Sequence, residues 1–264
     1  MLLESLGYRT DLMFARWNGE VSDLGEYLHI RTPSNPTYYW GNFLLFKNPP
    51  LEGDFERWSA LFKGHFPEAQ HVALGIDGTR GETGEIQTFL TAGFDLEKSV
   101  VLTATQTHAP ARMNLEVEVR PLKTDADWTA ALELQILCRD TQHTLESYRI
   151  YKTAQLKNYR LLTDLGLGEW FGAFLTGKQD RGKLVADLGI FFSSEMARYQ
   201  MVGTHPQYRR QGLCGRLVFE ASQYAFAKGA ETLVMVADPE YHAARIYELV
   251  GFAVAETQVG LQKF

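Results

Sequence analysis

The hydrophobic pattern in the last third of the chain predicts alternating strands and helices. MARYQMVGT (196–204) is typical of a strand, and it ends at His205-Pro206 because proline cannot donate a ladder hydrogen bond. TLVMVA (232–237) is typical of a second, buried strand. Between the two strands, apolar residues recur at the spacing of one helix face, at Leu213, Leu217, Ala221, Tyr224 and Ala225. A helix that ends at Gly251 and a strand over 252–264 complete the predicted order.

The first half of the chain repeats this order of elements. The predicted elements are the strand WGNFLLF (40–46), the loop KNPPLEGD (47–54), a helix over 55–66, the strand HVALGID (71–77), the short helix EIQTFLTA (85–92) and the strand KSVVLTA (98–104). In addition, FLTAGFDLEKSVVLT (89–103) aligns without a gap with YELVGFAVAETQVGL (247–261), and the two segments share a Gly-Phe between helix and strand. The matched order and the alignment predict a diverged internal duplication.

The join between the two copies is predicted at the polar, proline-containing stretch 107–114, which gives domains over 1–112 and 113–264. In the second domain a strand over 115–122 is followed by a helix that Thr124, Asp125 and Asp127 can cap. Two helical segments are predicted within 126–165, and an antiparallel strand pair follows them. The predicted fold class is α+β (α/β), with two mixed central sheets that are each flanked by helices.

Composition and charge favour a cytoplasmic enzyme or binding protein over a nucleic-acid or membrane protein. The 264 residues are 45% hydrophobic and 22% charged, with a formal net charge of -6, so we expect no nucleic-acid or membrane partner. The two cysteines, Cys138 and Cys214, lack metal-ligand spacing and suit a reducing compartment. We expect no metal cofactor, no signal peptide and no membrane span.

A cationic, glycine-rich turn stands between the strand and the helix, in GTHPQYRRQGLCG (203–215). A loop that leads into a helix presents unpaired backbone N–H groups, and the helix dipole adds partial positive charge, so this turn predicts an anion site. Gly212 and Gly215 let the backbone approach a ligand, while Arg209, Arg210 and Arg216 add formal charge. The turn has neither the Walker A pattern nor GxGxxG.

RRQGLC instead fits the pattern (Gln/Arg)-x-x-Gly-x-(Gly/Ala), with Arg209 first, Gly212 central and Cys214 last. Together with Val-x-Thr-x-Pro-x-Tyr-Arg before it and AARIYELVGF after it, this segment resembles the GNAT N-acetyltransferase superfamily. The resemblance covers 115–264 in full and 1–110 as a degenerate second copy. It implies a tandem GNAT fold and a V-shaped opening between the strands at 196–204 and 232–237, which binds acetyl-CoA as co-substrate.

The resemblance also implies roles for individual residues. The backbone N–H of Val202 would stabilise the acetyl carbonyl, the backbone of Thr204 would pair with pantetheine, and Tyr247 would protonate the departing thiolate. The residues expected to contact the cofactor are Val202, Thr204, Arg209, Arg210, Gln211, Gly212, Leu213, Cys214, Gly215 and Arg216. The general base is left open, since Arg198 stands where some relatives carry Glu. The candidates are Glu195, Glu146, His143 and a water chain.

Three departures from the family pattern change what is expected. The last motif position holds Cys214, a thiol that would be sensitive to oxidation beside a bound cofactor. Glu240 replaces an Asn that many relatives use to contact pantetheine. In the first copy, the prolines and acidic residues of 47–54 oppose phosphate binding, and Phe89 replaces Tyr247. We therefore expect one coenzyme site per chain, in the second copy.

The sequence favours an N-acetyltransferase that moves acetyl from acetyl-CoA to a primary amine of a small molecule or peptide, by direct attack in a ternary complex. Two alternatives stay open. One is a tandem-GNAT transferase with another acyl donor or a thiol-metabolite acceptor, similar to mycothiol synthase. The other is a non-catalytic acetyl-CoA sensor. The acceptor and the oligomeric state are not specified by the sequence.

Overall fold

The computed structural model describes residues 1–139, 144–240 and 243–264. The helices are α1 Leu6–Asn18, α2 Asp54–His65, α3 Gln87–Thr91, α4 Asp125–Leu137, α5 Leu145–Asp164, α6 Leu213–Ala227 and α7 Ala243–Glu248. The strands are β1 Glu20–Asp23, β2 Tyr27–Arg31, β3 Phe43–Phe46, β4 Val72–Ile76, β5 Asp95–Ala104, β6 Val117–Pro121, β7 Gly168–Leu175, β8 Leu184–Ser193, β9 Met196–Thr204, β10 Thr232–Ala237 and β11 Ala253–Lys263. A mixed sheet flanked by helices confirms the predicted α+β (α/β) class.

The chain divides into two compact units that are not continuous segments. The first unit contains 1–101, 236–240 and 254–264, and the second contains 102–235 and the described part of 241–253. The C-terminal strand β11 therefore belongs to the first unit, where Val259 stands beside Ile76 of β4 in an antiparallel pair. From the sequence this strand was expected in the second copy. The predicted limits of the two repeats, at 112 and 113, stay a prediction.

The first unit has the strand order β1-β2-β3-β4-β11-β5. Neighbours are antiparallel from β1 to β3, β3 and β4 are parallel, and β4 and β11 are antiparallel. One face of these strands carries an aromatic core. The rings of Phe46 and Trp58 stack with centroids 3.6 Å apart, and Phe89 is fully buried against Trp58. This core lets α2 and α3 pack against the strands.

The strand predicted over 40–46 is shorter in the structure. Residues Tyr39–Gly41 form a 3-10 turn, and β3 begins only at Phe43. The side chain of Asn42 donates to the carbonyl oxygens of Asn35 and Tyr38, at 3.0 and 2.8 Å. These hydrogen bonds hold the chain in a turn, since they use peptide groups that a strand would give to its neighbour. The elements α1, β1 and β2 had no counterpart in the sequence prediction.

The second unit has the strand order β10-β9-β8-β7-β6. Strands β6 to β9 are antiparallel to their neighbours, and β9 and β10 are parallel. Helix α4 begins with a capping box, in which Thr124 accepts from the backbone of Asp127 and the Asp127 carboxylate accepts in return. This confirms the cap expected at Thr124. The predicted elements over 115–122, 126–165 and the strand pair correspond to β6, α4, α5, β7 and β8.

Both units contain the same crossover of strand, helix and parallel strand. Helix α2 joins β3 to β4, and α6 joins β9 to β10. Each of these helices begins after a glycine in the left-handed conformation, Gly53 with φ 85° and Gly212 with φ 78°. This agreement in topology and in backbone conformation supports the predicted duplication. Within the residues described, no helix combines the length and the apolar character that crossing a membrane requires.

The aromatic core makes a quantitative prediction about the first unit. Trp58 is 1% exposed, and replacing it with alanine leaves a cavity next to Phe46. We expect Trp58→Ala to lower the free energy of unfolding by about 3–5 kcal/mol in urea titrations followed by circular dichroism. Leu51→Ala is the control, because Leu51 is 72% exposed and should change the value by less than about 0.5 kcal/mol. Equal losses for the two variants would contradict the assignment of this core.

Candidate active site

The parallel pairing of β9 and β10 covers only the start of β9. Thr232, Leu233 and Val234 pair with Met196, Ala197 and Arg198, and β9 then continues to Thr204. Two parallel strands that stop pairing leave backbone groups available to a ligand. This register agrees with the opening that the sequence predicts next to Thr204.

A β-bulge shapes the far half of β9. Asp187 stands opposite Gly203 and Gly189 opposite Gln200, so the two residues Met201 and Val202 face one residue of β8. Met201 has φ 54°, in the left-handed region that few residues other than glycine adopt. An extra residue in one strand bends it and re-aims the peptide groups next to it. The bulge therefore sets the direction of the backbone at Val202.

The loop before α6 has the backbone conformation of an anion-binding nest. Arg210 and Gly212 have φ 60° and 78°, whereas Gln211 between them does not have a positive φ. Such an alternation turns successive N–H groups toward one point. None of the backbone amides of residues 210–215 donates a hydrogen bond to any residue that the structure describes. These amides and the positive end of the α6 dipole are therefore available to an anion.

A cleft of about 650 Å³ opens beside this loop, entirely within the second unit. It brings together nine of the residues that were expected from the sequence to contact cofactor or to act in catalysis. These are Val202, Thr204, Arg209, Arg210, Gly212, Leu213, Cys214, Gly215 and Tyr247. The volume is in the range of small-molecule and cofactor sites. The roles assigned to these residues remain predictions.

Two of the expected cofactor residues do not line the cleft. The guanidinium of Arg216 donates to the Glu220 carboxylate at 3.0 Å and to the carbonyl oxygen of Asn114 at 2.6 Å. Its charge is therefore held by protein groups rather than directed at a ligand. The side chain of Gln211 is exposed and lies near the carbonyl oxygen of Gln207. Gln211 can therefore contribute only its backbone amide to an anion site at this loop.

The carbonyl oxygen of Thr204 already has partners. It accepts from Nε of Arg209 at 3.3 Å and from the thiol of Cys138 at 3.3 Å. A carbonyl oxygen has two lone pairs, so a pantetheine amide would replace one of these contacts. Arg209 is exposed, and its contact is the one that a ligand displaces at lower cost.

Tyr247 lies on α7 and lines the cleft while being only 4% exposed. Its ring packs edge-on against Phe252, with centroids 6.4 Å apart. The ring is thus held in place by the apolar core, and its neighbours Ile246 and Leu249 also face the cleft. This placement brings Tyr247 and Val202 to the same cavity, although they are 45 residues apart in the chain.

The two thiols near the cleft are held in the protonated form. Burial raises the pKa of Cys214 to about 12. Burial also raises the pKa of Cys138, whose thiol donates to Thr204. Because the thiolate is the reactive species, the oxidation sensitivity expected of Cys214 is reduced.

Of the candidate bases named from the sequence, Glu195 and Glu146 do not line the cleft. Glu195 is exposed at the turn between β8 and β9, seven residues from Val202, which is about 23 Å along an extended strand. Glu146 is exposed in the first turn of α5. His143 lies outside the described residues. The strand turn places Glu195 at the closed end of the β9–β10 pair, which explains the difference.

The segment 107–114 contributes to the cleft, although its sequence suggested only a linker. Pro110, Ala111 and Arg112 line the cavity, and a side chain at Gly212 would come within 2.8 Å of the Arg112 carbonyl oxygen. The backbone of this segment is anchored by a hydrogen bond from the amide of His108 to the Val250 carbonyl. Tyr208 also lines the cavity. Only Tyr208 had a sequence signal, as part of the quoted motif.

The equivalent loop in the first unit is closed by its own side chains. The amide of Leu51 donates to the Asp54 carboxylate at 2.8 Å, and Arg57 binds the other carboxylate oxygen. Strands β3 and β4 pair up to Phe46 and Ile76 at the end of β3. An anion at this helix start would meet a carboxylate, and β3 and β4 stay paired beside it.

Residues 131–252 match the acetyltransferase (GNAT) family model. A GNAT acetyltransferase domain is identified over these residues by their similarity to the family. The matched residues include the bulge of β9, the loop at 209–215 and Tyr247. No curated protein is similar enough to the chain to count as a match.

Several solved structures are similar in fold to most of this chain. A GCN5-related N-acetyltransferase from Kribbella flavida is 15% identical and covers 98% of this chain and 96% of its own, with a TM-score of 0.67. A conserved protein of unknown function from Staphylococcus epidermidis is 13% identical, covers 93% and 94%, and has a TM-score of 0.72. A tandem GNAT protein from the clavulanic acid biosynthesis pathway is 12% identical, covers 79% and 68%, and has a TM-score of 0.52. At these identities the likeness concerns the fold.

The close approach at Gly212 can be tested against a second left-handed glycine. Gly212→Ala places a Cβ 2.8 Å from the Arg112 carbonyl oxygen, whereas Gly229, with φ 94°, has no atom within 4 Å of such a Cβ. The left-handed backbone alone costs alanine about 1–2 kcal/mol at either position. We expect Gly212→Ala to lower the melting temperature more than Gly229→Ala in calorimetry. Equal losses would mean that residues 110–112 do not pack against the loop.

Proposed function

We propose that the protein is an acyltransferase that moves acetyl from acetyl-CoA to a primary amine of a small molecule or a peptide. The proposal rests on the membership of 131–252 in the GNAT family. The observation that carries it is the row of backbone amides at 210–215, which have no partner among the described residues and which border a cleft of about 650 Å³. The coenzyme diphosphate is the anion that this arrangement suits best.

The coenzyme would bind through its diphosphate and its pantetheine arm. The diphosphate would accept from the loop amides at the start of α6, with the guanidinium groups of Arg209 and Arg210 at the exposed rim. The pantetheine arm would follow β9 along Val202 and Thr204, where pairing with β10 has ended. The thioester carbonyl would then lie at the bulge.

The chemical step would be direct attack by the acceptor amine. The neutral amine attacks the thioester carbon, and the carbonyl oxygen gains negative charge that the N–H of Val202 would stabilise. As the tetrahedral intermediate collapses, the carbon–sulfur bond breaks and the Tyr247 hydroxyl would protonate the thiolate. The nitrogen loses one proton to solvent or to a base that the described residues do not identify. The Tyr247 phenolate regains one proton from solvent, so the step balances and the hydroxyl is restored.

The state of the thiols supports direct attack over a covalent acyl-enzyme. A nucleophilic cysteine needs a lowered pKa, and burial instead raises the pKa of Cys214 to about 12. Neither Cys138 nor Cys214 forms a disulfide. The free cysteines and the net charge of -6 also support a cytoplasmic location without nucleic-acid or membrane partners.

The test is a panel of amines, aminothiols and peptides incubated with acetyl-CoA, with free thiol release as the readout. Tyr247→Phe removes one hydroxyl, so we expect turnover to fall by about 10- to 1,000-fold while the Kd for coenzyme A changes by less than about threefold. Turnover with a different acyl-CoA or only with thiols would favour the mycothiol-synthase-like alternative. Coenzyme binding without turnover on any acceptor would favour the sensor.

We also expect one coenzyme site per chain. In the first unit, Asp54 accepts from the loop amide of Leu51, so a second diphosphate would have to displace a carboxylate paired with Arg57. Isothermal titration calorimetry with acetyl-CoA should give a stoichiometry near one. Arg209→Ala should weaken this single binding event, and two sites of similar affinity would contradict the prediction.

A further inference from the structure

A buried glutamine stands behind the bulge of β9. Gln135 of α4 is 3% exposed, and its Nε2 donates to Oδ1 of Asp187 at 2.7 Å and to the carbonyl oxygen of Met201 at 2.8 Å. The amide orientation follows from chemistry, because only an NH₂ group can face two acceptors. One side chain thus joins α4, β8 and β9 at the point where β9 departs from regular geometry.

Asp187, one of the two acceptors of the Gln135 amide, is itself held in place by a second donor. Asp187 is fully buried, and its other oxygen accepts from the indole N–H of Trp170 at 3.0 Å. Two N–H donors therefore point at two separate oxygens, which a carboxylate can satisfy and an asparagine cannot. Gly203 leaves the space for this pair, since a Cβ there would stand 2.9 Å from both Oδ1 of Asp187 and Nε2 of Gln135.

The acceptor on β9 belongs to the peptide group that matters for catalysis. The carbonyl of Met201 and the N–H of Val202 are parts of one planar trans peptide, in which C=O and N–H point in opposite directions. Fixing the Met201 oxygen toward Gln135 therefore fixes the Val202 N–H away from α4. Met201 holds this orientation with φ 54°, a conformation that costs energy unless neighbouring contacts stabilise it.

We infer that Gln135 is a positioning residue that directs the Val202 N–H at the acyl carbonyl by anchoring the Met201 oxygen. Asp187 holds the Gln135 amide in place, and Gly203 makes room for both. The inference rests on the proposed function for the identity of the group that the N–H stabilises. The anchoring itself rests only on the hydrogen bonds and the peptide geometry of the second unit.

The chain offers a matched control on the next helix. Gln155 of α5 is 5% exposed, comparable to Gln135, but its Oε1 accepts from Nζ of Lys152 at 2.8 Å. Replacing glutamine with glutamate at 155 keeps an acceptor for Lys152. The same replacement at 135 puts a carboxyl group opposite Asp187 and the Met201 carbonyl. A carboxyl has at most one O–H donor, so at least one of the two hydrogen bonds is lost. The two substitutions are identical in size and opposite in physical consequence.

The experiment measures kcat and coenzyme A affinity for Gln135→Glu, Gln155→Glu and the wild type. We expect Gln135→Glu to lower kcat by about 10- to 100-fold with a coenzyme A Kd within about threefold, because the loop amides at 210–215 are untouched. Gln155→Glu should keep kcat within about threefold. Gln135→Met, which removes the donor without adding a carboxyl, should show the same separation of kcat from Kd and covers the case in which Gln135→Glu fails to fold.

A second readout separates this inference from the proposed function. The amide resonances of residues 201–203 in ¹H–¹⁵N spectra of the coenzyme-free protein should shift in Gln135→Met and stay in place in Gln155→Glu. If the wild type turns over and the Gln135 variants keep full kcat, the inference is wrong and the proposed function stands. If the wild type has no activity, the proposed function is wrong, and unchanged amide resonances in Gln135→Met would overturn the anchoring as well.

Discussion

The second unit depends on the early end of one parallel strand pairing. The hydrogen-bonded register of β9 and β10 ends at Arg198 and Val234, and β9 then runs on to Thr204 beside the cleft. Buried peptide groups need hydrogen-bond partners, so a strand that leaves its neighbour must gain others. On β9, the Cys138 thiol donates to the carbonyl of Thr204, and the Gln135 amide donates to the carbonyl of Met201 at the bulge. A ligand can supply what remains.

The two strand–helix–strand crossovers have the same backbone conformation at the start of the helix, but their loop amides differ in hydrogen bonding. Gly53 and Gly212 give α2 and α6 the same left-handed start. In the first unit, a carboxylate of the chain, Asp54, accepts from the loop amide of Leu51, and the strands stay paired to their ends. In the second unit, none of the residues that the structure describes accepts from the amides of 210–215. The difference lies in which group accepts from the loop amides, and this decides which of the two loops is available to an anion.

Burying the polar groups behind the cleft costs free energy, because charged groups are removed from water. Asp187 has no exposed surface, and burial raises its pKa to about 7. Burial likewise lowers the pKa of Lys152 to about 7, next to the Met201 side chain. Apolar residues of similar size would pack here without desolvating charge. Asp187 and Gln135 meet at the peptide between Met201 and Val202, where Met201 has φ 54°, and this is the physical basis for assigning them to positioning rather than to packing.

The sequence by itself determined the order of elements over the second half, the cap at Thr124 and the glycine-rich loop at 209–215, because these are local features of periodicity, capping and turn chemistry. Only the tertiary structure decided that β11 joins the first unit, that 110–112 border the cleft, and that Gln135 meets the bulge. Each of these contacts joins residues that are far apart in the chain. No local pattern encodes such contacts, since they arise from strand register and helix packing.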